Sequence, residues 1–145
     1  MTTNEQAHRI FLLWDEYARD GRIDELVALY TPDGMFESPL VPILLKRASG
    51  ICQGHEELRA FFTEGYRRRP TELVRWYRTG RYHFDGTTLI WEYPGCAPDH
   101  EQIDLMEVME LHNGLIAHHK VYWGFRGTNE LLRSQREKQA TDREV

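Results

Sequence analysis

The sequence predicts an α+β domain in which three N-terminal helices pack in a strongly curved antiparallel β-sheet. Three observations carry this expectation. Apolar residues recur at helical spacing in three runs before Pro70. Two alternating hairpins follow, hinged on Asp85-Gly86 and Asn113-Gly114, dipeptides that supply the positive φ angles of a type I′ turn. Gly80 stands in mid-strand, where a bulge or bend would curve the sheet.

The first helix is opened by Thr3 and Gln6 as a capping box and carries Ile10, Phe11, Trp14 and Tyr17 on one stripe. Gly21 is suited to end it in the left-handed conformation. A short second helix holds Ile23, Leu26, Val27 and Tyr30, and Pro32-Asp33-Gly34 turns the chain out of it. Met35 to Ser38 reads as a short strand with Phe36 and Ser38 on one face. Leu40 to Gly54 is apolar without a clean period, with Pro42 and Gly50 inside it, and reads as an ordered loop that covers a pocket or joins a subunit contact. His55 to Arg69 is the third helix, with Leu58, Phe61, Phe62 and Tyr66 on one stripe; Arg67-Arg68-Arg69 suits its C-terminus, and Pro70 stops it.

The first hairpin pairs Leu73 to Phe84 with Thr87 to Tyr93, which puts Trp76, Tyr82, Phe84, Leu89, Trp91 and Tyr93 on one face. The second spans Gln102 to Gly124. A two-residue turn at Asn113-Gly114 pairs His112 with Leu115, Val108 with His119 and Asp104 with Trp123, and brings Asp104, Glu110, His112 and His119 onto the face of Val121 and Trp123. A three-residue turn slips the register by one and exchanges Glu110 for Glu107. Both faces have apolar groups to bury, which suggests helices on one side and a partner chain on the other. After Gly124 the chain turns polar. One domain over residues 1–127 is expected, then a polar helix or tail over 128–145, with a short helix at Glu130 to Arg136.

The 145 residues suffice for a single core without metal or disulfide staples. A formal net charge of −5 argues against a nucleic-acid or anionic-membrane surface, because phosphate binding needs clustered positive charge. The two cysteines, Cys52 and Cys96, have no metal-ligand spacing. There is no signal-peptide pattern and no apolar run of membrane-spanning length, so a cytoplasmic setting is expected. His112, His118, His119 and Asp104 do not make a metal site, since neighbouring strand residues point to opposite faces. No phosphate loop, nucleophile elbow or HExxH motif is present.

Four segments follow one another in the chain: Asp20-Gly21 with Leu26-Val27-Ala28-Leu29-Tyr30, then Tyr30 through Pro39, Gly54-His55-Glu56-Glu57-Leu58, and Asn113-Gly114-Leu115-Ile116 ending at Tyr122-Trp123-Gly124. Together, in this order, they resemble the nuclear transport factor 2-like superfamily, and within it the SnoaL-like and ketosteroid-isomerase-like proteins. The resemblance implies a cone-shaped, cystatin-like α+β roll around a pocket, and a homodimer through the outer sheet face. It also implies that the base of the isomerases falls at Ser38 and their oxyanion-stabilising tyrosine at Trp14. Their second oxyanion donor falls near Val108 or Glu107. Serine is no carboxylate base and an indole offers only an N–H, so steroid-isomerase chemistry as such is disfavoured.

In such a cone Trp14, Tyr17, Phe36, Ser38 and Phe62 from the first half of the chain would bind a small apolar or aromatic ligand. Trp76, Tyr82, Trp91, Tyr93 and Trp123 would do so from the hairpins. His119, Asp104 and Glu110 are the candidate catalytic groups. His119 or Asp104 would remove a proton α to a carbonyl, with Glu110 orienting the imidazole and Tyr82, Tyr93 or Ser38 donating to the enolate oxygen. The expected function is that of a cofactorless acid–base enzyme of isomerase, cyclase, dehydratase or hydrolase type, acting on a small apolar or polycyclic ligand. The alternative is a non-catalytic homodimeric binding or assembly module. No cofactor and no metal are expected.

Overall fold

The computed structural model describes residues 1–68 and 76–144. Helix α1 (Asn4–Asp20) starts on the Thr3–Gln6 capping box and buries Ala7, Ile10 and Phe11, three residues at helical spacing. Gly21 ends it at φ 69°, and the Tyr66 ring packs where a side chain at that position would stand. Helix α2 (Ile23–Val27) leads into β1 (Tyr30–Glu37). The strand begins before Pro32-Asp33-Gly34, which bulges from its pairing with β6 instead of separating helix from strand.

The segment read as a loop is ordered differently. Leu40–Leu45 forms helix α3 and Ile51–Gln53 forms strand β2, antiparallel to β1. Pro42 is tolerated because it lies in the first turn of α3, where an N–H has no intrahelical acceptor. The Ser38 hydroxyl and carbonyl take up the N–H groups of Leu40 and Val41 instead, at 3.1 Å each. Helix α4 (His55–Arg68) buries Leu58, Phe61 and Phe62. The readings at Arg69, Pro70 and Leu73 lie outside the described residues.

Four further strands follow: β3 (His83–Phe84), β4 (Thr88–Tyr93), β5 (Leu105–His112) and β6 (Leu115–Trp123). Among the described residues of the long first arm expected for the first hairpin, only His83–Phe84 is strand, and Asp85 Oδ1 accepts from the N–H groups of Thr87 and Thr88, which widens the turn. Phe84 therefore pairs with Leu89. That is a slip of two residues, which leaves the inward face of β4 unchanged. Helix α5 runs over Phe125–Glu144, far beyond the short helix expected from sequence.

The six strands form one sheet in the order β2-β1-β6-β5-β4-β3. This corrects the expected strongly curved antiparallel cone: the sheet is not strongly curled or closed, and it keeps β2 and β3 as its two edges. It is mixed, because β1 runs parallel to β6. Among the described residues four helices, not three, precede the hairpins. One sheet face packs with α1, α2 and α4 around a core that includes Ile10, Phe11, Leu58, Trp91, Met109 and Ile116.

Candidate active site

The β5–β6 hairpin turns on Asn113-Gly114 at φ 49° and 82°, as a two-residue type I′ loop, and His112 pairs with Leu115. The register then shifts. Leu111 pairs with Ile116 and Glu110 with His118, so Ala117 is an extra residue on β6. Beyond this bulge Met109 faces His119, Glu107 faces Val121 and Leu105 faces Trp123. The inward face of β5 is thus Leu105, Glu107, Met109 and Leu111, the opposite set from that given by an unbroken two-residue hairpin. Glu107 takes the diagonal place beside His119 that such a hairpin assigns to Glu110.

Glu107 and His119 are 2% and 0% exposed. His119 Nε2 and Glu107 Oε2 are joined by a short hydrogen bond. His119 Nδ1 lies 2.7 Å from the Tyr30 hydroxyl, and the Trp14 indole N–H donates to the same hydroxyl at 3.0 Å. A continuous chain therefore runs Trp14, Tyr30, His119, Glu107, with one member each from α1, β1, β6 and β5. Phe36, whose Cα faces that of His119 across the parallel β1–β6 pair, places its ring edge-on to the imidazole at 4.8 Å. Trp14 does so at 5.3 Å. Every polar atom of the imidazole has a partner, and its faces meet aromatic carbon.

Burial pushes the Tyr30 phenol well above its ordinary value; the Trp14 hydrogen bond works against this and the Glu107 charge adds to it. Tyr93 is raised for the same first reason, with Glu107 again contributing. Burial lowers Arg78, which lies 3.7 Å over the Phe11 ring with Asp15 at 3.9 Å.

Glu107 also borders a cavity of about 300 Å³ that is otherwise largely apolar. Of the ligand-binding residues expected from sequence, Trp14, Phe36, Ser38, Phe62, Trp76 and Trp123 line it. His119 stands behind Glu107 and is not part of the wall. Helices α4 and α5 add Tyr66, Arg68, Glu130 and Leu131. Trp91 and Tyr93 belong to the core, Tyr82 packs on Phe11 and hydrogen-bonds His8, and Tyr17 lies under the Arg22 guanidinium.

Asp104 and Glu110 are not brought to His119. The Asp104 carboxylate accepts from Gly127 N–H at 2.9 Å, filling a free donor in the first turn of α5. Glu110 is exposed and faces His118 across the sheet. The Ser38 hydroxyl is engaged with α3. Two members of the chain, Glu107 and Tyr30, were not among the expected site residues. Glu107 was legible as the consequence of a slipped register and as one of two positions where the resemblance puts the second oxyanion donor. Tyr30 carried no signal, since its approach to His119 depends on a parallel strand pair.

The fold and site define a class of pocket-bearing α+β domain, with an apolar cavity on the helix-covered side of the sheet and a buried hydrogen-bond chain that reaches its wall at Trp14 and Glu107. Residues 13–119 match the model of the SnoaL-like domain, and the chain belongs to that family. None of the curated proteins matches the sequence. Among solved structures, a SnoaL-like protein of Burkholderia thailandensis aligns with a TM-score of 0.63 at 15% identity, over 86% of this chain and 99% of that one. An NTF2-like protein of Anabaena variabilis aligns with a TM-score of 0.62 at 17% identity, over 88% and 96%. The epoxide hydrolase/cyclase-like enzyme SalBIII, described in pyran ring formation in the polyether salinomycin, aligns with a TM-score of 0.56 at 17% identity, over 86% and 95%. At these identities the likeness is one of fold.

Proposed function

We propose that this SnoaL-like protein is a cofactorless acid–base enzyme acting on a small apolar or polycyclic ligand, with Glu107 as its catalytic carboxylate. One observation carries the reading: a carboxylate only 2% exposed lines an apolar cavity while His119, on its far side, holds one of its oxygens. The other oxygen has no hydrogen bond among the described residues. In a site of low dielectric that oxygen takes a proton α to a substrate carbonyl. His119 fixes the carboxylate's orientation during the transfer. Returned to a second carbon, the proton completes an isomerisation; delivered to a leaving oxygen, it completes an elimination or a ring closure. The fold shared with an epoxide hydrolase/cyclase-like enzyme is in keeping with this range.

The test is solvent deuterium exchange into a bicyclic ketone such as 2-decalone, followed by NMR. The wild-type protein is expected to catalyse exchange and Glu107→Gln to lose about 100-fold or more of the rate, the usual contribution of a positioned base. A Glu107→Gln protein as fast as wild type would remove Glu107 from the mechanism. Binding of the ketone without exchange in wild type would favour the second reading, a ligand-binding or assembly module. What favours that reading is the engagement of Ser38, at the isomerase base position, in capping α3.

The same proposal includes a homodimer in the cytoplasm. On the outer sheet face Met106 pairs with Tyr122, and these are 39% and 54% exposed. Sedimentation of the Tyr122→Lys variant as a monomer, against a wild-type dimer, is the expected result. No helix among the described residues is long and apolar enough to cross a membrane, and both Cys52 and Cys96 are free thiols.

A further inference from the structure

We infer that Trp14 sets the direction of the hydrogen-bond chain and thereby keeps Glu107 deprotonated, making Trp14 and Tyr30 positioning residues for the carboxylate. This rests on the proposed role of Glu107 as base, and it concerns what holds that base ready.

Trp14 is the one member of the chain that has no choice of role. An indole N–H only donates, so the Trp14 contact at 3.0 Å must use the lone-pair side of the Tyr30 oxygen. The phenol O–H is then free to point only at its other neighbour, His119 Nδ1, at 2.7 Å. A neutral imidazole that accepts at Nδ1 carries its proton on Nε2. That N–H faces Glu107 Oε2, which must therefore accept, as a carboxylate does.

The reverse direction would have Glu107 donate to Nε2 and Nδ1–H donate to Tyr30. The Tyr30 oxygen would then receive two donors, and its own hydrogen would find no acceptor among the described residues. Inside a core this orphaned hydroxyl is costly. Trp14 thus acts on Glu107 through two intervening groups and without touching it.

The experiment reads the tautomer of His119 in the ligand-free protein by long-range proton–nitrogen NMR. Infrared difference spectra against Glu107→Gln report on protonated carboxyl at position 107. Wild type is expected to carry the His119 proton on Nε2 with no protonated-carboxyl band. Trp14→Phe vacates the lone-pair side of the Tyr30 oxygen. The flipped tautomer, with its carboxyl band, should rise about three- to tenfold, the worth of one hydrogen bond. Tyr30→Phe severs the chain one link on with a ring that does not line the cavity. It should relax the tautomer in the same sense and lower kcat for ketone exchange while KM holds.

A wild-type proton on Nδ1 overturns the inference. So does a folded Trp14→Phe protein with an unchanged tautomer. Should Trp14→Phe fail to fold, Tyr30→Phe decides by the same readout. Neither spectroscopic result needs a substrate, so they stand apart from the catalytic reading. A one-way chain beside a Glu107→Gln protein that exchanges at full rate would sink the proposed base and leave the inference intact.

Discussion

His118 and His119 are adjacent on β6, and each is paired with a glutamate, yet the two pairs differ in almost every physical respect. His118 meets Glu37 of β1 at 2.5 Å with side chains 22% and 36% exposed. His119 meets Glu107 with side chains 0% and 3% exposed. Strand alternation sends one imidazole outward and the other into the core. The outer pair shares its charge with water, so its loss is easily made good. The inner pair has Tyr30, Trp14 and aromatic carbon around the imidazole and a largely apolar cavity beside the carboxylate, so each member depends on the others. Residue type and contact distance are nearly the same, and burial with full hydrogen-bond satisfaction is what separates a surface ion pair from a candidate site.

The sharpest way to break the comparison is to delete each histidine. His119→Ala leaves a buried carboxylate without its partner and the Tyr30 O–H without an acceptor, and should cost about 3–5 kcal/mol in urea unfolding. A cost near that of a surface residue would mean that Glu107 finds water or a new partner. Tyr30→Phe keeps the ring and removes one oxygen, stranding the Trp14 N–H and His119 Nδ1; about 1–3 kcal/mol is expected by the same measurement.

Alkaline titration sharpens the contrast from the other side. The folded-state values of Tyr30 and Tyr93 lie above the ordinary phenol value of 10.0. Their contribution is fully present below that pH and is lost as pH rises through the folded-state values, because the unfolded chain releases protons that the folded one retains. Thermal melts should therefore fall above pH 10, and less steeply in Tyr30→Phe, where the Tyr30 contribution is gone. An equal slope in both proteins would exclude Tyr30 as a source. The smallest effect is expected outside: His118→Ala should change stability by no more than about 1 kcal/mol. That difference should shrink in molar salt, where charges on the surface are screened.

Local chemistry was legible in the sequence and long-range pairing was not. The Thr3–Gln6 box, the Gly21 cap, the stripe of α4 and the Asn113-Gly114 turn are short-range features, each decided by a few neighbouring residues. The inward face of β4 was also legible, since a slip by two preserves the alternation. A single extra residue at Ala117 does not announce itself, because alanine suits either strand face. The parallel β1–β6 pairing joins segments from opposite ends of the chain and leaves no periodic trace, yet it brings Tyr30 and Phe36 to His119. The cone was inferred from resemblance and from Gly80, which lies outside any strand. At the site, His119 and the lining aromatics could be named from sequence, whereas the partner carboxylate required the register.

The bulge at Ala117 divides the hairpin into two lengths with separate phase, much as a clutch lets two shafts turn out of step. Toward Asn113-Gly114 the phase is set by the turn; toward Glu107 and His119 it is set by Phe36 and the neighbouring strand. The turn can therefore stay docked on the start of the chain, where Gly114 N–H donates to the Thr2 hydroxyl and the Met1 amino group to Asn113 Oδ1, while the face that carries Glu107 and His119 stays in step with β1.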